Sequence, residues 1–415
     1  MRRLAAALAV HLPVAALASA DSVPNVNARD LGIAQALIAA QDGAAAAYAN
    51  PAALARLSGL DLSLGAGLID NGTEWRSTDP ASPGSVKSKY HPVPGPALFA
   101  AYGGEIAGRG WGIGLGMNVP EGGNIVWPGD WPGRTEIIKV DRRVYAGYLT
   151  GGVEVLPRVR LGGGLVYYHT TELLTADFQR GVDFGTARAE SAGHAYAYEL
   201  SAEIEPFPGV PLTLAVDYKH KAHQKLYGKV VFDNPNSQAL LGQGVTHYFI
   251  VPNFISAGLA YRPVPALLLA FQWNLDRFRV YREDHFAGDV LTPFGTPVLE
   301  LTVPRSYGNG YTLRGGAEYT LSPSWQIRAG VLRDHTGLKA AYFDPSLPDA
   351  DVWAGSAGVS YLVPSLGLGF HAGVFYARYD EIDNTGIAII PTDLQGKWRS
   401  SALIASLGVT LRVGR

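Results

Sequence analysis

The chain has 415 residues, of which 47% are apolar and 17% charged, with 50 Gly, 21 Tyr and no Cys. This composition excludes a disordered acidic chain, a collagen and a small domain held by disulfides. The formal net charge of −2 provides no basic field for nucleic acid, so no nucleic-acid partner is expected. No helix-length apolar run follows residue 20, so the apolar residues must be arranged in another way.

The first twenty residues have the three parts of a secretory signal peptide. A basic start at residues 1–3 precedes an apolar stretch at residues 4–17, and residues 18–20 form a small-residue cleavage pattern. The apolar stretch is too short for a spanning helix, and an N-terminal anchor is the alternative interpretation. We predict that residues 1–20 are a signal peptide for export in a Gram-negative cell.

Residues 21–59 lack the strand pattern of the rest of the chain. They are rich in Ala, and Asp42 and Gly43 interrupt them. Residues 50–57 suit a short helix, because Pro51 fits the first helical position and Asn50 can cap it with its side-chain oxygen. The segment is therefore predicted to form short helices.

From about residue 60, apolar residues recur at every second position, which is the period of a β-strand. Five segments show this alternation clearly: residues 196–204, 212–218, 267–276, 325–331 and 403–413. One face of each strand is apolar or aromatic, and the other is mostly small, polar or charged.

Short and long connections between these strands alternate strictly. The short turns lie at residues 107–110, 156–158, 206–211, 262–265, 321–324 and 363–365. The long polar connections lie near residues 71–95, 120–139, 173–188, 223–250, 281–309, 335–352 and 381–397. Six short and seven long connections join fourteen strands. Brief periplasmic turns and long outer loops are typical of a transmembrane β-barrel, whereas a secreted all-β protein is the alternative.

The predicted fold is all-β: a 14-stranded antiparallel transmembrane β-barrel at residues 60–415, in the Gram-negative outer membrane. The preceding residues 21–59 fit inside the lumen as a plug, or hatch, with a periplasmic tail as the alternative. Closure satisfies every strand edge, as a bilayer requires. Aromatic residues near strand ends fit interfacial girdles: Trp75, Trp111, Trp325, Trp353, Trp398, Tyr261, Tyr361 and Tyr379.

Three segments, in order, resemble the FadL/TodX (OmpP1-like) family of outer-membrane transporters for long-chain fatty acids and hydrocarbons. Asp42 and Gly43 are followed by Asn50-Pro51-Ala52, which resembles the NPA motif of the family plug. Residues 316–319 resemble its G-A-E-Y strand. Residues 325–353 resemble its W-x-x-R-x-G … D … L-P-D-x-D … W stretch.

The resemblance implies a monomeric, passive channel for hydrophobic small molecules. In such proteins a ligand is captured among the outer loops and moves to a pocket against the plug. It then leaves sideways into the membrane through a gap in the wall beside a kinked third strand. Outer-membrane lipid, including lipopolysaccharide, is the expected surrounding partner. No cofactor, metal site or catalytic residue is predicted.

Pro120, Gly122 and Gly123 follow the Gly-rich third strand and are the candidates for this wall gap. Proline cannot donate to a strand ladder, and glycine marks bulges and close approaches. The alternative is that the strand ends here and the second outer loop begins.

Arg314 and Arg328 are candidate ligand contacts in the lumen. The family often has Lys, Asp and Arg near a carboxylate ligand where this chain has Gly308, Asn309 and Thr312. That departure is consistent with a neutral hydrocarbon, whereas either arginine could replace the missing partner of a carboxylate. The alternative is that both arginines pair with lumen carboxylates: Glu199, Glu203, Asp276 or Glu318.

Two other functions are alternatives. A hydrophilic porin would have a wet lumen lined with opposed charges, but many lumen-side positions here are small or aliphatic. A lipid hydrolase would need a Ser and a His on one face of neighbouring strands with an orienting Asn or Asp. Histidines such as His371 are present, but no nucleophile-elbow pattern surrounds a Ser. The C-terminal residues also lack the aromatic end usual in outer-membrane barrels.

Overall fold

A computed structural model describes residues 24–180, 183–236, 244–291, 297–305, 307–389 and 394–414. The predicted signal peptide lies outside the described residues. Among the described residues, no helix is long and apolar enough to cross a membrane.

Fourteen antiparallel strands form one closed sheet. Their bounds are β1 Gly59–Ser77, β2 Val93–Ile106, β3 Arg109–Val126, β4 Lys139–Leu156, β5 Val159–Arg180, β6 Asp183–Ile204, β7 Leu212–Lys219 with Ala222–Phe232, β8 Gly244–Val251 with Phe254–Val264, β9 Leu267–Asp276 with Glu283–Leu291, β10 Pro297–Pro304 with Gly310–Ser322, β11 Trp325–His335, β12 Val352–Val363, β13 Leu368–Tyr379 and β14 Gly396–Val413. Neighbours in chain order pair with each other, and β14 pairs with β1 along its whole length, which closes the barrel. The predicted fold class is confirmed.

The outer wall is apolar along its middle. Leu64, Leu115, Leu165 and Leu407 are each more than half exposed, while their neighbours on alternate positions face inward. So many exposed aliphatic side chains would cost free energy in water, which means that this surface faces lipid. The period-two pattern of the sequence follows directly from this arrangement.

Several expected outer loops are shorter in the structure than the sequence indicates. The clearest case is residues 173–188, where β5 and β6 continue as a paired hairpin to Arg180 and Asp183. Most outward positions of this hairpin are polar, although Phe184 is 63% exposed, and Arg188 forms an ion pair with Glu190. The expectation of a long loop here is wrong, because the strands extend beyond the lipid and lose the apolar outer face that marks them.

Four consecutive strands are interrupted at one level. β7 breaks at residues 220–221, β8 at 252–253, β9 at 277–282 and β10 at 305–309. The lower segments pair among themselves, and the upper segments form a separate ladder that continues from β6. A 3₁₀ turn, Phe278–Val280, occupies the break in β9. The barrel therefore carries an upper sheet on the side of β7–β10.

The outer loops fold over the lumen and bury tryptophan. Trp75 and Trp398 are only 3% and 1% exposed, with ring centroids 6.2 Å apart. Trp127 and Trp131, from the loop after β3, stack at 4.3 Å within the same cluster. The girdle prediction is therefore wrong for Trp75 and Trp398, because these strand ends lie beyond the membrane and face inward. Other members of the predicted girdle do lie exposed on the outer wall: Trp325, Trp353, Tyr261 and Tyr361.

The remaining short elements lie in connections. Two small strands extend the sheet on the outer side, Ser85–Lys87 beside β1 and Ile382–Asp383 beside β14. The 3₁₀ helix Ala340–Tyr342 lies in the loop between β11 and β12, and Pro364–Leu366 forms the turn between β12 and β13. These elements leave the lumen to the N-terminal segment.

Candidate functional site: plug, lumen cavity and wall

The N-terminal segment fills the lumen as a plug. It contains helices α1 (Ala28–Gly32) and α2 (Ala46–Ala49) and the 3₁₀ helix Pro51–Arg56. Nearly all of its apolar side chains are buried against the inner wall. The predicted plug in the lumen is present, and the alternative of a periplasmic tail is wrong.

Glycines of the inner wall make room for the NPA segment. A Cβ atom on Gly152 of β4 would lie 2.3 Å from the Pro51 carbonyl oxygen. One on Gly162 of β5 would lie 2.2 Å from the Ala52 nitrogen. Because no side chain fits at such distances, the plug backbone packs directly on the two strands. Ala52 N–H also donates to Ser201 Oγ of β6 at 2.8 Å.

Asn50 connects the plug to the wall and does not cap a helix. Its Nδ2 donates to the Ile38 carbonyl oxygen at 2.9 Å and to Glu203 Oε2 of β6 at 3.0 Å. The 3₁₀ helix that follows has no side-chain cap. The capping prediction is wrong, because two buried acceptors distant in sequence compete for this side chain.

Asp42 and Gly43 lie where the plug meets the periplasmic end of the barrel. Asp42 forms ion pairs with Arg29 of α1 and with Arg412 of β14, the latter at 2.9 Å. Although burial opposes it, these two guanidinium groups hold the pKa of Asp42 well below its usual range. Arg412 also bonds Asp61 of β1 at 2.7 Å. These ion pairs connect the plug to β1 and β14, the first and last strands of the barrel.

A cavity on the outer side of the plug has a polar half and an apolar half. Both halves include Asp276 and Arg314. The polar half is lined by residues that include Asp30, Gln35, Tyr48, Glu121, Tyr148, Tyr168 and Lys219. The mostly apolar half is lined by residues that include Ile69, Leu332, Val352, Phe375, Ala402 and Ile404, with Asn71, Thr312 and Asp334 as further polar members. The lumen is therefore amphipathic, as a site for an apolar molecule with one polar end would be.

The two candidate arginines lie in different places. Arg314 stands where the two halves of the cavity meet, and its Nη1 donates to Gln35 Oε1 at 2.9 Å. Its Nε is buried without a hydrogen-bond partner among the described residues. Arg328 lies nearer the periplasm, where it donates to Glu318 at 2.7 Å and to Ser360 at 2.6 Å. Arg328 is therefore paired with a lumen carboxylate, which is the alternative stated from the sequence. Arg314 is the better candidate for contact with a ligand.

The sequence pattern does not single out two residues that line the cavity, Lys219 and Asp30. Lys219 Nζ lies 2.6 Å from Asp217, 2.8 Å from Glu199 and 5.0 Å from the ring centroid of Tyr48. Asp30 accepts hydrogen bonds from Asn25 and Gln41, and burial raises its pKa to about 6 although Arg29 lies nearby. The alternation pattern marks such side chains as inward-facing, but it does not show which of them meet.

The strand pairing of the wall beside the cavity is irregular around Pro120. The ladder between β2 and β3 ends at Ala97 and Asn118, although β2 begins four residues earlier at Val93. β3 also bulges against β4 between Asn118 and Glu121. Pro120 lines the polar half of the cavity and Gly122 the apolar half. β3 nevertheless continues to Val126, so it does not end at Pro120.

The structure also brings one Ser and one His together. Ser360 Oγ and His371 Nδ1 are 2.6 Å apart on neighbouring strands. The other ring nitrogen, Nε2, contacts Thr410 Oγ1 at 3.0 Å, where a hydrolytic triad would have a carboxylate or amide. This pair therefore lacks the orienting group that the hydrolase alternative requires.

A closed barrel with a lipid-facing outer wall and a plug made from its own N-terminus defines a class of outer-membrane channel protein. Residues 9–198 match the sequence model of a family described as outer membrane protein transport protein (OMPP1/FadL/TodX). This stretch, just under half of the chain, is similar to that outer-membrane transport family, which confirms the resemblance seen in the sequence.

Solved structures share the fold over almost the whole chain. A FadL homologue from Pseudomonas aeruginosa is 19% identical, with a TM-score of 0.78 over 94% of this chain and 99% of that one. The CymD monoaromatic hydrocarbon channel is 16% identical, with a TM-score of 0.70 over 94% and 98%. The toluene transporter TodX of P. putida is 14% identical, with a TM-score of 0.69 over 90% and 95%. A search of curated proteins found no match.

Proposed function

We propose that the protein is a passive channel for the uptake of hydrophobic small molecules that carry one polar end, such as long-chain fatty acids. The observation that carries the proposal is the amphipathic cavity, with Arg314 where its two halves meet. An aliphatic tail would contact the half around Phe375 and Ile404, and a carboxylate would approach the buried Nε of Arg314.

Uptake of neutral hydrocarbons is the second candidate within the same class. Gly308, Asn309 and Thr312 stand where the family often has polar partners for a carboxylate. CymD and TodX are named for monoaromatic hydrocarbon and toluene. These two observations favour an uncharged ligand, and the apolar half of the cavity would hold it.

The proposed route begins among the outer loops and ends in the membrane. The tryptophan cluster that covers the lumen would have to move aside for a ligand to pass. Movement of the plug and the break between β2 and β3, at Pro120, Gly122 and Gly123, would then allow sideways release from the monomer. The exposed side chains of Leu68 and Leu115 near this break support lipid contact at that level.

Replacement of Arg314 tests the identity of the polar end. We expect Arg314→Gln to weaken binding of a long-chain fatty acid to the purified protein by about tenfold or more, because a charge-assisted hydrogen bond contributes about 1.5–3 kcal/mol. Calorimetric titration measures the affinity. Arg378→Gln, on the outer wall of β13, is the matched control and should bind as the unmodified protein does.

Binding of the fatty acid, and of the alcohol and the alkane of the same chain length, distinguishes a carboxylate ligand from a neutral hydrocarbon. If the ligand is a carboxylate, Arg314→Gln weakens fatty-acid binding and leaves alkane binding nearly unchanged. If unmodified protein binds the alkane as tightly as the acid, the neutral-hydrocarbon candidate replaces the first. An equal loss for all three probes would assign Arg314 a structural role.

A further inference from the structure

The outer wall of β4–β9 carries one row of aromatic, histidine and lysine side chains. Pairing places Tyr145, His169 and His194 side by side on β4, β5 and β6. Lys225, Tyr248 and His285 are likewise side by side on β7, β8 and β9. The ladder that pairs Ala192 with Tyr227 brings His194 beside Lys225, so the two sets form a single row.

This row lies where the lipid-facing surface ends. Below it, Tyr167 and Tyr196 are both exposed, with ring centroids 5.2 Å apart, and Leu165 and Leu200 follow on the apolar wall. Within the row, the rings of Tyr248 and His285 stack at 4.8 Å and Lys225 Nζ lies 5.5 Å from the Tyr248 centroid. Aromatic side chains with polar tips favour the headgroup level of a membrane.

Basic residues predominate in the β4–β7 part of the row and above it. The outward positions in residues 139–145 of β4, 169–175 of β5, 188–194 of β6 and 225–231 of β7 hold five cations and two carboxylates, an excess of three positive charges. The cations are Lys139, Arg143, Arg188, Lys225 and Lys229. The carboxylates contact cations of the patch, Asp141 with Arg143 at 2.9 Å and Glu190 with Arg188. Lys139, Lys225 and Lys229 therefore provide the excess.

A shallow depression in the wall lies within this patch. It is lined by residues that include Arg143, the acidic residues Asp141, Glu172 and Glu190, and the hydroxyl-bearing residues Tyr145, Thr171, Ser191 and Tyr227. Hydroxyls and carboxylates suit the hydroxyl groups of a sugar, and guanidinium and ammonium groups suit a phosphate. The depression therefore offers contacts for a sugar immediately above an apolar wall, and the ammonium groups of Lys225 and Lys229, on either side of the lining residue Tyr227, are available for a phosphate.

We propose that this patch binds the phosphorylated sugar headgroup of an outer-leaflet glycolipid, lipopolysaccharide. Its acyl chains lie along Leu165, Tyr196 and Leu200, and a phosphate lies near Lys225 and Lys229. Charge complementarity and level in the membrane both select this partner, since anionic lipid headgroups attract basic residues at the interface. The inference rests on the outer-membrane location and is independent of the transported ligand.

Binding of lipid A, a diphosphorylated glucosamine lipid, to the full-length protein in detergent tests the proposal. We expect Lys225→Gln to weaken binding about fivefold and Lys225→Gln with Lys229→Gln about thirtyfold, since each basic residue contributes about 1 kcal/mol at a membrane surface. Native mass spectrometry measures the bound fraction. Arg378→Gln removes one charge from the opposite wall and should leave binding unchanged. Resistance of the barrel to detergent denaturation checks that each variant is folded.

Two further probes distinguish the partner. Lipid A without phosphates should bind the unmodified protein as weakly as lipid A binds the double variant. An anionic phospholipid, phosphatidylglycerol, should compete poorly because it lacks the sugar. The proposal is overturned if the double variant binds lipid A as the unmodified protein does, if Arg378→Gln is equally impaired, or if phosphatidylglycerol competes as well as lipid A.

Discussion

Two carboxylates of the plug show how burial and pairing oppose each other at the scale of single residues. Asp42 is partly exposed and lies between two guanidinium groups, which keep it charged. Asp30 is buried with amide donors from Asn25 and Gln41, and Arg29 only partly offsets the cost of its charge. The plug therefore has one acid that stabilises it when charged and one that stabilises it when neutral.

Asp30 makes the stability of the plugged barrel depend on pH. Its pKa rises from 3.8 to about 6 on folding, so the folded state holds the proton more tightly. The resulting stabilisation, on the order of 3 kcal/mol, is complete below about pH 4 and is lost as pH rises through about 6. We expect Asp30→Asn to melt at a higher temperature than the unmodified protein at pH 7.5, with the difference vanishing near pH 4. Thermal melts across this range measure it.

Asp42→Asn is the matched control and has the opposite sign. It leaves Arg29 and Arg412 without their shared carboxylate, so it should lower the melting temperature at neutral pH. Because the folded pKa of Asp42 lies below its usual range, its contribution is lost only at acid pH. A melting difference for Asp30→Asn that is constant from pH 4 to 7.5 would contradict the assignment to Asp30.

At the scale of elements, β3 both packs against the plug and contains the break in the wall. Its lower part carries glycines at inward positions, and a Cβ atom on Gly110 or Gly112 would lie 2.1 or 2.2 Å from a carbonyl oxygen of the plug. Its upper part contains the bulge at Pro120 and separates from β2 after Asn118. The glycine-rich sequence therefore serves plug packing in one half and the wall break in the other.

Substitution in the upper part tests the proposed release route. We expect Gly122→Val with Gly123→Val to reduce uptake of an apolar substrate by cells several-fold, because added side chains fill the break and stiffen the strand. Surface abundance, measured by labelling of intact cells, should remain unchanged. The matched control is Gly147→Val, since a Cβ there has no atom nearer than 4.0 Å. Unchanged uptake in the double variant would argue against release at this position.

At the scale of the whole molecule, barrel and plug depend on each other. The barrel has glycines on β4 and β5 that leave room for the plug, and the plug backbone packs directly against them. The ion pairs of Arg412 with Asp42 and Asp61 join the plug to β1 and β14 at the periplasmic end of the barrel. A tightly packed plug is the feature that would distinguish the proposed channel from a hydrophilic porin, whose lumen conducts ions continuously.

Filling the space at Gly162 with a methyl group should open the barrel to ions. A Cβ atom at Gly162 would lie 2.2 Å from the Ala52 nitrogen, so Gly162→Ala displaces the 3₁₀ helix at a cost of about 1–3 kcal/mol. In planar bilayers we expect the unmodified protein to be nearly closed and Gly162→Ala to show frequent conducting events. Gly147→Ala on the same wall is the control. A large steady conductance from the unmodified protein would contradict the proposed function and favour a porin.

The fold was largely predictable because a lipid-facing strand must alternate between apolar and small or polar residues. Beyond the membrane the pattern of β5 and β6 is different, because the inward residues Leu174, Ala176 and Phe178 are apolar and most outward residues are polar. Trp75 and Trp398 were misassigned for the same reason, since a strand end carries no mark of whether a loop covers it. Asn50 does not cap the helix, because its side chain is held by hydrogen bonds to Ile38 and Glu203, which are distant in sequence.

By itself, the amino-acid sequence determined the class of protein: period-two strands, alternating short and long connections, and an N-terminal segment with the family plug motif. Only the tertiary structure decided which inward side chains share a cavity, because alternation assigns a side chain to a face and not to a height. It separated Arg314 from Arg328, placed Lys219 and Asp30 beside the ligand space, and aligned basic residues from separate strands on the outer wall. Those positions follow from strand register, which is set by pairing between residues far apart in the chain.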